Sequence, residues 1–503
     1  MTLLADVVTA SRAVAGTSSR SRKVAILAQL LGGLDPSEIA IAVGFLSGTP
    51  RQGRIGVGHS TVYGIEHGAA DETSITVDDL DRAIAAISAA TGAGSAARRK
   101  QILAELLGRA TEQEADFIRR LFTGELRQGA LAGLMVDAIA QAAGVPGETA
   151  RRVLMLSGDL TATAVIAMTE GEEGLRGVGF EIFRPILPML ASTAETVADA
   201  VAGFDRASVE WKLDGIRIQI HRSGDEVRIY TRNLNDITHA LPGIVRAVRR
   251  LPVRQAVFDG EALWLGEDGP AAFQDTVSRI DGEAPPEGIV TFLFDVLHVD
   301  GDDLLDLPLE QRAGRLQAIA AQLKIPGVLT SDPEQAERVL DEALRAGHEG
   351  VVVKDAASSY VAGRRGRAWR KVKPVRTYDL VVLGAEWGHG RRQGWLSNLH
   401  LGARDPRSGG FLMVGKCFKG LTDGLLEWQT KELLQREIAR RGIAVLVRPE
   451  LVVEIALDGV QSSTRYPGGV ALRFARVKRY RPDKSAREAD TIDDLRALLP
   501  ARR

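Results

Sequence analysis

The chain has very little cysteine and no long apolar run. Its 503 residues include one cysteine, Cys417, which excludes an internal disulfide framework and a cysteine-based zinc site. No apolar stretch approaches the roughly 18 residues of a membrane span. The first residues, MTLLADVVTASRAV, lack the basic start and the continuous apolar segment of a signal peptide. We therefore expect a protein that works in the cytoplasm and does not enter a membrane.

Charge is nearly balanced overall but unevenly distributed. The net formal charge of −1 argues only weakly against binding to nucleic acid. Residues 376–503, however, contain 23 Lys and Arg against 15 Asp and Glu, a net charge of +8, which leaves −9 for residues 1–375. A basic C-terminal part is suited to a polyanion. A solvated basic surface is the alternative interpretation.

Tryptophan is missing from the first part of the chain, since all six lie at residue 211 or later. Residues 1–178 instead carry helix patterns. Asp35 followed by Pro36 is typical of a helix start, and Thr111 with Glu114 forms a capping box. This part is predicted to be an all-α domain.

The remaining chain changes to strand patterns. Between residues 179 and 375 strands alternate with helices, which predicts a mixed α+β domain. Residues 376–503 show short strands with Gly-rich turns, about five in number, which favours a small barrel of the OB-fold type. One helix is predicted to interrupt them over residues 423–442. The predicted fold class is therefore multidomain, with all-α, α+β and β-barrel parts.

An irregular strand draws attention to Lys212. The segment EWKLDGIRIQIHRSGDEVRIYTRN predicts a hairpin with its turn at Ser223-Gly224-Asp225. Its apolar residues fall on odd positions up to Leu213 and on even positions from Ile216, so a strand with one buried face cannot run straight through. We predict a bend at Asp214-Gly215, where glycine permits a positive φ. A broken pattern of this kind often marks a functional position.

A lysine nucleophile needs particular surroundings, because an amine with a pKa of about 10.4 is protonated in water. Cationic neighbours, a metal ion or desolvation favour the reactive amine, and a nucleoside triphosphate also needs cations and metal-binding carboxylates. Such groups follow downstream: Glu261 in FDGEALW, Glu349 in HEGVVVK and the basic run GRRGRAWRKVK at 363–373. Taken singly, each also fits a turn, a strand start or a solvated face. Their joint order favours a nucleotide site.

The motifs EWKLDGIR, FDGEALW, TFLFDVLH, HEGVVVK, AWRKVK and LRFARVKRYRPDK resemble the signature of the covalent nucleotidyltransferases. Within that superfamily the chain is similar to the ATP-dependent DNA ligases. The stretch RRLFTGELRQGALAG in the first part resembles the DNA-binding domain of the larger, three-domain ligases. The resemblance implies a helical DNA-binding domain over residues 1–178, with Arg127 on DNA phosphates. It also implies an adenylation domain over 179–375 and an OB-fold domain over 376–503.

The resemblance also implies roles for the residues around Lys212. Lys212 would attack the α-phosphate of ATP and carry AMP as a phosphoramidate, and Asp214 would fix the bend and the lysine. Glu210 would hydrogen-bond the adenine amino group. Phe294 would stack on the base.

Further residues are implied to bind the sugar, the phosphates, the metal ion or the leaving group. Glu261 and Glu349 would be metal carboxylates, and Glu261 would also lie near the ribose. Asp483 and Lys484 would orient the pyrophosphate leaving group. The residues implied to touch ribose or phosphate are Arg217, Arg232, Lys354, Arg365, Lys371 and Lys373, with Arg364 and Arg367 as alternatives to Arg365.

The implied activity is the sealing of nicks in duplex DNA that carry a 5′-phosphate and a 3′-hydroxyl. It would proceed through lysyl-AMP and DNA-adenylate intermediates and would serve DNA replication, repair and recombination. ATP and Mg²⁺ are the implied cofactors, with Mn²⁺ as an alternative metal ion. The implied partners are nicked DNA at the nucleoid and replication or repair factors, and we expect a monomer.

Three other functions compete with this interpretation. An NAD⁺-dependent ligase is disfavoured because one cysteine cannot build the four-cysteine zinc module of that family. An mRNA-capping guanylyltransferase or an RNA ligase shares the lysine motif but should lack so long a helical front. A non-catalytic DNA clamp with the same fold would have no need of Lys212, Glu261, Glu349 and the basic run.

Overall fold

The computed structural model describes residues 1–53, 55–126, 132–266, 269–270, 288–362, 365–374 and 376–499. Of the residues named above, Arg127 and Arg364 lie outside this set, and only the backbone of Arg365 is described. The chain divides into two compact units, Met1–Val372 and Lys373–Arg503. The predicted division into three domains stays a prediction.

The first part of the larger unit is helical, as expected. Asp35 and Glu38 form a capping box with Pro36 in the first turn, and a second box joins Thr111 to Glu114, so both predicted helix starts are confirmed. Apolar faces of these helices pack into one continuous core. The helices are α1 Leu4–Ala15, α2 Arg20–Gly32, α3 Pro36–Ser47, α4 His59–Tyr63, α5 Val77–Ala89, α6 Ser95–Gly108, α7 Glu112–Thr123, α8 Ala132–Ala143, α9 Gly147–Ser157, α10 Leu160–Thr169 and α11 Gly171–Arg176.

Two sheets follow in the same unit. The strands are β1 Leu190–Thr193, β2 Ala207–Lys212, β3 Ile216–Ser223, β4 Glu226–Thr231, β5 Gln255–Gly266, β6 Gly269–Pro270, β7 Ile289–Val299, β8 Asp302–Asp303, β9 Gly327–Thr330, β10 Gly350–Asp355 and β11 Arg365–Val372. One sheet has the order β1-β11-β10-β2-β9 and the other β4-β3-β5-β7-β8, with β6 beside β5. The accompanying helices are α12 Val197–Val201, α13 Pro242–Arg249, α14 Leu309–Ala320 and α15 Pro333–Arg345.

The parity change around Lys212 marks the crossing from one sheet to the other. β2 belongs to the five-stranded sheet, whereas β3 belongs to the six-stranded sheet, so the two segments bury different faces. The expected reason for the glycine was wrong, because the φ of Gly215 is not positive. A Cβ at Gly215 would lie 2.4 Å from the Ala262 carbonyl oxygen and 2.9 Å from Glu261 Cγ. Close approach to β5 therefore requires the glycine.

The lead-in to the sheets is fixed by two buried side chains of β3. His221 Nδ1 accepts a hydrogen bond from the Phe183 N–H at 3.0 Å, and Gln219 Oε1 accepts one from the Ile186 N–H at 2.9 Å. His221 Nε2 lies 2.8 Å from Gln219 Oε1 and donates to it, because the other ring nitrogen is the acceptor. Burial lowers the pKa of His221 to about 3.

The helical part packs directly on the sheet part within this unit. Met155 and Leu156 of α9 share an apolar cluster with Val257 of β5 and Trp369 of β11. Arg152 of α9 also pairs with Asp306, with both guanidinium–carboxylate hydrogen bonds between 2.6 and 2.8 Å. Packing therefore joins the two parts that the change of sequence pattern separates.

The smaller unit is built on one large sheet and has more strands than expected. Its strands are β12 Arg376–Trp387, β13 Leu396–Arg404, β14 Phe411–Cys417, β15 Glu437–Arg441, β16 Ala444–Val447, β17 Val452–Leu457, β18 Gly459–Ser462, β19 Val470–Arg473 and β20 Arg476–Tyr480. Seven of them form one sheet in which the long strand β12 pairs with β13, β16 and β17. β18 and β19 form a separate pair. Two helices, α16 Asp423–Gln435 and α17 Ile492–Arg496, complete the unit.

The predicted helix over residues 423–442 was wrong at its C-terminal end. α16 ends at Gln435, and Glu437–Arg441 instead forms β15 by pairing antiparallel with β16. β15 and β16 form a local hairpin, because Arg441 pairs with Ala444 across the two residues Gly442 and Ile443, and Gly442 has a positive φ of 59°. The helix-forming residues of the stretch masked this turn signal. Among all the residues that the structure describes, no helix is long and apolar enough to span a bilayer.

The close contact at Gly215 gives a test of the sheet crossing. We expect Gly215→Ala to lower the free energy of unfolding by about 1–3 kcal/mol, because the added methyl group must displace backbone of β5. Gly314→Ala in α14 is the matched control, since its Cβ would meet nothing within 4 Å and alanine favours a helix by about 1 kcal/mol. Chemical denaturation measures the unfolding free energy of both variants. Equal stability of the two would show that the close approach to β5 does not require glycine at position 215.

The buried histidine gives a second test. The pKa of His221 in the folded protein, about 3, lies below the ordinary 6.5, so the unfolded chain binds the extra proton. We expect its contribution to stability to be complete above pH 6.5 and to be lost as the pH falls from 6.5 towards 3. In His221→Gln this part of the pH dependence should disappear when unfolding free energy is measured at successive pH values. If the unfolding free energy of His221→Gln depended on pH as that of the wild type does, His221 would be protonated in the folded protein.

Candidate active site

Lys212 stands at the end of β2, opposite the start of β10. In the register of the two strands Lys212 faces Gly350, and the Glu349 N–H donates to the Lys212 carbonyl at 3.0 Å. This pairing brings the side chains of Lys212 and Glu349 together, and the ammonium Nζ contacts Glu349 Oε2 in an ion pair. Both side chains remain about one-fifth exposed, at 23% and 21%. The two residues predicted as nucleophile and metal ligand are therefore in direct contact.

Glu261 approaches the same lysine from the other sheet. It lies on β5 opposite Arg217 of β3. Burial raises the pKa of Glu261 to about 7, although the charges of Lys212 and Arg217 and the Gly215 N–H act in the opposite direction. Asp214 lies half-buried in the link between β2 and β3. The crossing of the chain between the sheets thus assembles a lysine and two carboxyl groups from three separate motifs.

A buried network holds Arg217. Its guanidinium donates to both carboxylate oxygens of Asp259, at 3.0 and 2.6 Å, and to the Met189 carbonyl at 2.6 Å. The Tyr360 hydroxyl donates to Asp259 Oδ2 at 2.6 Å and accepts from the Met189 N–H at 3.1 Å. Arg232, the other arginine predicted near the sugar, lines one small cleft together with Arg217 and Asp259. The structure therefore brings the two predicted arginines together and fixes one of them.

Glu210 and Phe294 meet around a buried lysine. Lys354 Nζ lies 2.5 Å from Glu210 Oε2 and donates to the Phe294 carbonyl at 3.1 Å. The same ammonium lies 4.6 Å from the ring centre of Phe294 and 4.3 Å from that of Trp369. Glu210 also accepts from Ser208 Oγ at 2.7 Å. Lys354 is 2% exposed, so in this structure it is a partner of the predicted base-binding residues.

The basic run has a mixed placement. Lys371 lies half-buried on β11, in register with Val352 and Thr193. Arg370 instead donates to the carbonyls at the end of α12 and covers the Phe204 ring, which is a structural contact. Arg367 is exposed. Lys373 belongs to the smaller unit, where its Nζ lies 3.7 Å from Asp458.

Asp483 and Lys484 lie in the smaller unit, and both are held by ion pairs. Arg481 donates to both carboxylate oxygens of Asp483, and these hydrogen bonds lower the pKa of Asp483 to about 2. Lys484 Nζ lies 2.5 Å from Asp379 Oδ2. The two residues are therefore oriented by neighbours within the smaller unit.

The carboxyl groups beside Lys212 fit a metal ion that arrives with a triphosphate. Within the described ranges, no group of three or more His, Cys, Asp and Glu side chains could by itself hold a metal ion. Mg²⁺, however, commonly takes only one or two protein carboxylates and completes its shell with phosphate oxygens and water. Glu261 and Glu349 supply that number of hard oxygen ligands, and a bound cation would favour the ionised form of the buried Glu261.

Three stretches of the chain match the domains of one family. Residues 188–373 match the ATP dependent DNA ligase domain, residues 392–484 the ATP dependent DNA ligase C terminal region, and residues 65–140 the DNA ligase N terminus. A probable DNA ligase of Rhodococcus opacus is 56% identical over 99% of this chain and 100% of its own length. One from Saccharopolyspora erythraea is 56% identical over 99% and 98%. The chain belongs to the ATP-dependent DNA ligases.

The comparison with solved structures bears on the fold of the ligase. The structure Pmar-Lig_PreS3 matches it with a TM-score of 0.61 over 94% of this chain and 99% of that chain, at 18% identity. The ligase accordingly has a multidomain fold with an adenylation domain and a C-terminal OB-like half-barrel, as expected from the sequence.

Some residues of the site were missed by the sequence analysis. Tyr360, in SSYVAG, had no recognised role, although it completes the Asp259–Arg217 network. Arg312 of α14 was also missed: it is fully buried and donates to both carboxylate oxygens of Asp295, the residue after Phe294, at 2.8 and 2.9 Å. The sequence around an arginine on a helix does not show which distant carboxylate it binds. The pair of Arg312 and Asp295 is therefore identified only from the structure.

The Tyr360 hydroxyl gives a test of the network. In Tyr360→Phe the ring packing stays, but Asp259 and the Met189 N–H each lose a hydrogen bond, so we expect a loss of about 1–3 kcal/mol in unfolding free energy. We also expect slower formation of the enzyme–AMP adduct, measured with labelled ATP, because Arg217 loses its support. Tyr63→Phe is the control, since Tyr63 is exposed on α4. Adduct formation at the wild-type rate would show that the hydroxyl does not support Arg217.

Proposed function

We propose that this ligase seals 5′-phosphate/3′-hydroxyl nicks in duplex DNA through a lysyl-AMP and a DNA-adenylate intermediate. The observation that carries the proposal is the contact of Lys212 with Glu349, beside Glu261. An amine, two carboxyl groups and neighbouring cations are the groups that transfer of a nucleotidyl group requires.

In the first step Lys212 Nζ forms a bond to the α-phosphorus of ATP. The bond from that phosphorus to the bridging oxygen breaks, pyrophosphate leaves, and the amine gives up a proton. Glu210 would accept a hydrogen bond from the adenine amino group, while Phe294 stacks on the base. Mg²⁺ or Mn²⁺ held by Glu261 and Glu349 would neutralise phosphate charge when bound.

Cations of the chain act on the phosphates and the sugar in the same step. Because negative charge accumulates on phosphoryl oxygens, positioning and positive charge supply most of the rate acceleration. Asp483 and Lys484 would orient the pyrophosphate leaving group. The residues proposed for the sugar and phosphates are Arg217, Arg232, Lys354, Arg365, Lys371 and Lys373.

The next two steps act on DNA. An oxygen of the 5′-phosphate attacks the phosphorus of the bound AMP, the bond to Lys212 Nζ breaks, and the lysine regains a proton. The 3′-hydroxyl then attacks the 5′-phosphorus of the DNA-adenylate, AMP leaves, and the hydroxyl proton is released. The helical part, residues 1–178, would hold the duplex through phosphate contacts, which are independent of sequence.

The cellular setting is part of the proposal. We place the ligase in the cytoplasm at the nucleoid, as a monomer that serves DNA replication, repair and recombination together with factors of those processes. A cytoplasmic enzyme has ATP and Mg²⁺ at hand, and a nick is the common product of all three processes.

Labelled ATP tests the chemistry directly. We expect an acid-labile protein adduct from ATP labelled on its α-phosphate, dependent on a divalent cation, absent with NAD⁺, and discharged by nicked DNA into sealed product. Lys212→Ala should form no adduct yet still bind nicked DNA, whereas Lys431→Ala, at an exposed helix position of α16, should behave as wild type. Residual labelling of Lys212→Ala would contradict the assignment of the nucleophile. An adduct that ignores nicked DNA would point to an RNA end or a cap instead.

A further inference from the structure

One carboxylate of the smaller unit organises the whole RPDK segment, residues 481–484. Asp379 lies near the start of β12, and its side chain is 9% exposed. Its Oδ2 accepts from Lys484 Nζ at 2.5 Å and from Arg481 Nη1 at 3.1 Å. A single buried anion thus binds the cations at both ends of the segment.

The effect of Asp379 extends to the third charged residue of the segment. Arg481 uses its Nε and Nη2 atoms to hold Asp483, with N–O distances of 2.9 and 2.6 Å, while its Nη1 is occupied by Asp379. The guanidinium is planar, so fixing one edge fixes the direction of the other. Asp483, itself exposed, is therefore oriented by Asp379 through Arg481.

The position of Asp379 is itself firmly fixed. Its N–H donates to Asp490 Oδ2 at 2.6 Å, and its carbonyl accepts from the Asp490 N–H at 2.9 Å. On β12 it also lies in register with Glu454 of β17. Because these hydrogen bonds fix the main chain of Asp379, its carboxylate is a rigid anchor for the long, flexible side chain of Lys484. Ordering such a side chain otherwise costs conformational entropy.

We propose that Asp379 is a positioning residue that holds Asp483 and Lys484 in place to receive the pyrophosphate of ATP. This inference rests on the proposed role of those two residues in the first step. Asp379 does not touch the nucleotide; it acts through Arg481 and Lys484. Without its charge, two neighbouring cations would repel each other and the segment would lose its common anchor.

The test separates the chemical steps in the full-length enzyme. Asp379→Asn keeps the side-chain shape but removes the charge, so we expect formation of the enzyme–AMP adduct to slow by about tenfold or more, equivalent to about 1.4 kcal/mol in the barrier. Sealing of a nick that already carries AMP should stay near the wild-type rate, because no pyrophosphate is involved. Asp379→Glu should restore part of the adduct formation. A loss of both steps together with a lower melting temperature would show a structural role only and would overturn the inference.

Two further variants distinguish this inference from the function on which it rests. Lys484→Ala should show the same selective loss, and the double variant should be less impaired than the two single effects added together, because part of the effect of Asp379 acts through Lys484. Glu386→Gln is the matched control: it also neutralises a largely buried carboxylate of β12, but the partners of Glu386 are Lys416 and His400, which lie outside the RPDK segment. A defective Lys484→Ala beside a fully active Asp379→Asn would overturn only the role of Asp379. Full activity of both would overturn the role of Lys484 as well.

Discussion

The site depends on the crossing of the chain between two sheets at residues 213–215. β2 and β3 belong to different sheets, so Lys212, the last residue of β2, and Arg217, the second residue of β3, lie on different sheets although they are close in sequence. The crossing is tight enough that no side chain fits at Gly215, which lies against the β5 backbone. The same close approach places Glu261 of β5 beside the lysine. Strand pairing with β10 then adds Glu349 from the other side.

Buried ion pairs fix the side chains around this crossing. Asp259 binds Arg217 with Tyr360, Glu210 binds Lys354, and Asp295 binds Arg312. Each is a costly arrangement unless the charges are paired and their remaining hydrogen-bonding groups are satisfied. In this protein those additional bonds are made by main-chain carbonyl groups, those of Met189, Phe294 and Leu307 among them. The charges therefore tie segments distant in sequence to one another at the edge of the candidate site.

The smaller unit also contains a largely buried carboxylate that binds cations, namely Asp379 with Arg481 and Lys484. There Asp483 and Lys484 are exposed or partly exposed, Arg481 is largely buried, and a single carboxylate on β12 binds both Arg481 and Lys484. In its proposed role the segment meets pyrophosphate, which requires positive charge at its surface, yet loosely held cations would adopt many conformations. An anchor such as Asp379 would meet both requirements, since hydrogen bonds of its main chain to Asp490 fix the position of the residue.

The order of the motifs, the helical first part and the need for a bend near Lys212 could be predicted from the sequence alone, because these depend on local patterns and on residue chemistry. The motif order also led to the family. Contacts such as Tyr360 with Asp259, Arg312 with Asp295 and Lys354 with Glu210 could not be predicted, since the two residues of each pair are far apart in the chain and meet only in the folded protein. The reason for Gly215 belongs to the same class. In each case the deciding contact comes from a segment that is distant in the chain, which no local pattern records.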